Sequence, residues 1–90
     1  MRISVKFLKS EIGEVRAVVS LGRGADDPAL VSIDGMAHSF GEGAAIEVGR
    51  QFGHGAGNDA RDWAETAVED VKHQIDEYRT SVPADYGLEY

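Results

Sequence analysis

Residues Asn58–Thr80, NDARDWAETAVEDVKHQIDEYRT, decide how this chain folds. Ala60, Trp63, Ala64, Ala67, Val68, Val71, Ile75 and Tyr78 recur at three- and four-residue steps, which at about 100° per residue places them on one helical face. Asp62, Glu65, Glu69, His73 and Asp76 fall on the opposite side. The spacing predicts an amphipathic helix over 58–81, with Asn58 or Asp59 as N-cap and Arg79 in the last turn. Pro83 disfavours a helical conformation at Val82, so the helix is expected to end near Thr80 or Ser81.

An apolar stripe this long needs a sheet to cover, and the preceding residues supply one. In residues 2–9, Ile3, Val5 and Phe7 alternate with Ser4 and Lys6. Beyond a turn at Ser10–Gly13, Val15, Ala17, Val19 and Leu21 alternate with Arg16, Val18 and Ser20, which reads as an antiparallel hairpin. Residues 22–28, rich in glycine and aspartate and closed by Pro28, form a loop. Leu30–Ile33 and Met36–Phe40 flank Asp34-Gly35, the pair that a type I′ turn selects because both central residues need positive φ. Gly41–Gly43 is a further turn. Residues 44–52 read as a fifth strand, with a short helix as the alternative.

The fold class expected is therefore α+β: an antiparallel meander of four to five strands with one long C-terminal amphipathic helix packed on one face. The 90 residues make a single small domain, with the sheet in 1–52, a glycine-rich loop in 53–57, the helix in 58–81 and a tail in 82–90. Tyr86, Leu88 and Tyr90 alternate in that tail, so it is a candidate for an added strand on this domain or on a partner.

Charge is distributed unevenly. Residues 1–57 carry seven acids and six bases, whereas 58–90 carry nine acids and three bases, so −6 of the net −7 belongs to the helix and tail. Such a field repels nucleic acid and anionic membrane and attracts basic surfaces. Lys6, Lys9 and Arg16 are too few to bind a phosphate backbone at physiological salt, so direct nucleic-acid binding is not expected. The N-terminal residues interrupt their apolar positions with charges, and no apolar run approaches the roughly 20 residues of a spanning helix. A cytoplasmic protein with no membrane partner is expected.

No motif for chemistry stands out. The chain has no cysteine, and its serines lie in no nucleophile context. His38, His54 and His73 have no spacing that fixes a metal, and the expectation is no metal and no cofactor. His73 with Glu69 and Asp76 reads as a solvated charge lattice, and His38 as a half-buried packing residue. His54 lies in Gly53-His54-Gly55-Ala56-Gly57, whose GxGxG spacing before a helix is a weak phosphate signal, opposed by Asp59 and Asp62. The Asp26-Asp27 pair gives no sign of burial. No catalytic residue is expected, and the chain reads as a non-enzyme.

What remains is the acidic helix face. Asp62, Glu65, Glu69, Asp70, Asp76 and Glu77 are the expected partner-binding residues, spaced on a scale comparable with phosphates along a strand. The leading reading is a small acidic protein-binding module, in its sharpest form an inhibitor that blocks a basic nucleic-acid-binding surface by charge mimicry. The alternatives are a homo-oligomeric subunit, a homodimer in its simplest form, assembling through a sheet edge or the C-terminal tail, and a small-ligand site at the Gly53–Gly57 loop.

Overall fold

Strand β2, Val15–Gly22, is the axis of the sheet. Its inward residues Ala17, Val19 and Leu21 are completely buried, and both of its edges are taken. On one side it pairs antiparallel with β1, Arg2–Lys9, from Arg2 opposite Gly22 to Lys9 opposite Val15. On the other it pairs antiparallel with β5, Ile46–Phe52, from Val15 opposite Phe52 to Leu21 opposite Ile46. Residues 46–52 are thus a strand and not a short helix. The computed structural model describes residues 1–41 and 45–88, with side chains to Ser81; the expected turn at Gly41–Gly43 and the packing of Tyr86, Leu88 and Tyr90 lie outside the described residues.

The strands are antiparallel throughout, as expected, and with one C-terminal helix they make an α+β fold. They do not form one meander. β3, Leu30–Ile33, and β4, Met36–Ser39, make a separate two-stranded sheet. The reason lies in β2: its free edge pairs seven residues of β5, more than the four that β3 can offer, so β3 finds no place beside it. Asp34 and Gly35 have φ of 54° and 74°, the positive pair that the type I′ reading requires.

Helix α1, Gly57–Leu88, packs against β2, β3 and β5. Ala60, Trp63, Ala64, Ala67, Val71 and Ile75 are buried against Ala17, Val19, Leu21, Val31, Ile33, Phe40 and Ile46. Tyr78, expected in this row, is exposed. The sheet sets that limit: eight residues in a strand span about 26 Å, and Ala60 to Ile75 already uses about 23 Å of helix.

Both helix ends differ from expectation. The first turn starts at Gly57, with the Ala60 amide donating to the Ala56 carbonyl at 3.0 Å, so neither Asn58 nor Asp59 is the cap and Asp59 sits in the first turn. At the far end α1 continues past Pro83 to Leu88, so residues 82–88 are helix and not the strand-forming tail expected. Proline costs a helix one hydrogen bond, yet its fixed φ near −65° is itself a helical value. Arg79 is consequently not a last-turn residue, and its guanidinium is used elsewhere.

Candidate partner-binding surfaces

The two flanks of α1 are unlike. One is closed by the β3–β4 hairpin. There the Trp63 indole N–H donates to the Asp34 carboxylate at 2.7 Å, joining the helix to the hairpin turn. Phe52 packs on the same indole at a centroid distance of 6.1 Å, and Arg50 covers Phe52 while its guanidinium lies 3.7 Å from Asp34. One helical turn beyond Val71, the Gln74 side-chain amide completes two bonds to one residue. Its oxygen accepts from the Ser32 amide at 2.7 Å and its nitrogen donates to the Ser32 carbonyl at 2.8 Å. Gln74 therefore acts toward β3 as a further strand would, satisfying both backbone groups.

A second anchor ties down the loop at residues 22–28. Asp27 is buried. Its carboxylate sits 2.8 Å from the Met1 ammonium, accepts from the Gly24 amide at 2.8 Å, and pairs with the Arg79 guanidinium. Burial acts to raise its pKa, but the Met1 ammonium, the Gly24 amide and Arg79 together outweigh that and hold it at about 2. The Asp26-Asp27 reading is thereby corrected: one of the pair is buried, and it is a structural anion. Nothing local could have revealed it, because Arg79 lies 52 residues away in sequence.

The other flank, facing β1, is open. Val5 is 38% exposed and Phe7 46%, although both project to the same face as the buried Val19 and Ala17 opposite them. A cavity of about 360 Å³ lies between strand and helix, lined by Val5, Phe7, Ala64 and Val68 with Arg61, Glu65 and Glu69 at its rim. Width explains it. Three strands span roughly 14 Å between outer edges counted with their own breadth, whereas one helix is about 10 Å across. The helix also leans toward the hairpin.

All six expected carboxylates are exposed, but they do not make one line. Asp62, Glu69 and Asp76 follow the outward face at seven-residue steps. Glu65 lies toward the open flank, and Asp70 and Glu77 are turned about 100° further round from Glu69 and Asp76. Glu69 pairs with Lys72 at 3.8 Å and Glu77 with His73 at 3.2 Å; with both partners more than half exposed, such pairs contribute little. Among the described residues Asp62, Glu65, Asp70 and Asp76 join no ion pair.

His54 lines a shallow cavity of about 430 Å³ with Phe7, Lys9, Gly13, Asn58 and Arg61. Its Nδ1 lies 2.7 Å from the Ile12 carbonyl, which can only accept, so Nδ1 carries the proton. The ring abuts Gly13, whose φ of 85° and lack of a Cβ allow the contact. The histidine thus fastens the Gly53–Gly57 loop to the β1–β2 turn. His38 is half-buried in β4. No helix among the described residues is long and apolar enough to cross a membrane, and none of their acids and histidines gather in threes as a metal site would need. No family model, curated protein or solved structure matches this chain.

Proposed function

We propose that this chain is a small, acidic, non-enzymatic protein-binding module that covers a basic nucleic-acid-binding surface of its partner. The observation that carries the reading is the outward face of α1. Its carboxylates stand exposed on one continuous rod, and among the described residues four of the six join no ion pair. Asp62, Glu65, Glu69 and Asp76 are set along the axis at steps of about 5 to 10 Å, a scale that a channel lined for phosphates can accept. The helix is held rigidly from below, so these charges are displayed without an ordering cost on binding.

The test reverses three exposed charges that the fold does not use, Asp62→Lys, Glu69→Lys and Glu77→Lys. Wild-type protein used as bait should retain a basic nucleic-acid-binding protein that is released by raised salt and by added duplex DNA. The triple variant should fold normally and retain none. Undiminished capture by that variant, or a captured partner that still binds DNA fully while in the complex, would contradict the proposal.

A further inference from the structure

We propose that the open flank is the seat of a second copy of this chain, joined about a two-fold axis through Val5 so that the two β1 strands pair antiparallel. Among the described residues β1 is paired on one side only, and it presents Ile3, Val5 and Phe7 in a row toward the groove. The opposite edge strand, β5, is protected in ways that β1 is not: it has Gly49 at its centre and turns the charged Arg50 to the helix side.

The rim of the groove argues for self-pairing rather than for another occupant. Along the helix edge it reads Arg61, Glu65, Val68, Glu69, Lys72 and Asp76, a mixture of both signs. The cavities beside it fix how this edge sits against the strand. Phe7 shares its cavities with Arg61, Val5 shares one with Val68, and Ile3 shares one with Lys72 and Asp76. A two-fold axis at Val5 places Phe7 against Ile3 of the second copy and Lys6 against Ser4. The same operation places Arg61 opposite Asp76 of the second copy, and Glu65 opposite its Lys72. These four rim charges each meet their opposite, and each pairing occurs twice, as an isologous interface requires; Glu69 lies outside these pairings. Moving the axis to Lys6 would set that lysine against itself.

The spacing suits these pairings. The two β2 strands would be three interstrand steps apart, so helices packed over them stand at least about 14 Å from one another. Arg, Glu, Lys and Asp side chains bridge that gap, and Val5, Phe7 and Val68 from both copies fill the floor beneath. An acidic extended peptide fits less well, because Arg2 and Lys6 of β1 point to the face away from the groove and Glu65 and Glu69 stand over its middle. Asp62, Asp70 and Glu77 take no part in these pairings, whereas Glu65 and Asp76 are shared with the surface proposed above.

Sedimentation equilibrium over a range of concentrations tests the proposal. The wild type should be a reversible dimer, and Val5→Lys a monomer with unchanged circular dichroism. Arg61→Asp should weaken association by at least about tenfold, and the double reversal Arg61→Asp/Asp76→Arg should recover most of that loss, because it restores both symmetric pairs with their signs exchanged. A wild type that stays monomeric, with or without an acidic extended peptide bound at β1, would overturn the proposal. So would a Val5→Lys variant that associates as the wild type does, or a double reversal that regains nothing.

Discussion

One flank of α1 is sealed and the other is not, and the residues responsible are of different kinds. On the sealed side Trp63 and Gln74 reach directed hydrogen bonds on the β3–β4 hairpin, so each contact has one geometry that satisfies it. On the open side Val68, Ala64, Val5 and Phe7 have only apolar surface to offer, rimmed by charges of both signs. The first flank specifies the fold. The second leaves apolar surface in contact with water, which a partner relieves without any change in the fold.

Breaking the sealed flank should therefore be expensive. Trp63→Ala should cost about 3–5 kcal/mol, from the lost aromatic packing on Phe52 and the lost bond to Asp34. Urea denaturation measures this, and Trp63→Phe should recover the packing part of the loss while the bond to Asp34 stays missing. Next in size is the Asp27 anchor. Its folded pKa of about 2 lies below the ordinary 3.8, so the ionised group contributes on the order of 2 kcal/mol. Because the folded value is the lower one, this stability is complete above about pH 4 and is lost as pH falls through about 2. Thermal melts across that range should show a step that Asp27→Asn, already destabilised at neutral pH, lacks.

Gln74→Ala sharpens the comparison at smaller scale. It removes two bonds to Ser32 that lie near solvent, where water replaces them, so about 1 kcal/mol is expected in the same denaturation experiment. Smallest of all is the effect of the open flank on stability. Glu65→Lys should change the stability of the monomer by under about 0.5 kcal/mol while weakening self-association, an inversion that no variant of the sealed flank should reproduce.

The elements themselves were legible because they are written locally. Period-two alternation marks β1 and β2, Asp34-Gly35 names its own turn, and the three- and four-residue recurrence from Ala60 to Ile75 names the buried face of α1. The division into two sheets was not, since it depends on β5 competing with β3 for one edge of β2, and competition between distant segments leaves no local mark. Asp27 was hidden for the same reason: its partners, Met1 and Arg79, belong to the opposite ends of the described chain. The open flank left a fainter trace. Ile3, Val5 and Phe7 add a third apolar strand face to the hairpin and the two other strands beneath a single helix about 10 Å wide, more than it can cover. The six carboxylates were identified correctly as exposed, but as one surface; helical geometry distributes them over two faces and one flank.

Amide hydrogen exchange of the wild type at low and high protein concentration puts the open flank to the most direct test. Alternate amides of β1, from Ile3 to Lys9, should exchange quickly in dilute solution and become protected as concentration rises, while those of β5 stay unchanged. Equal exchange in β1 at both concentrations would contradict the account, because a second copy paired with that edge must shield it.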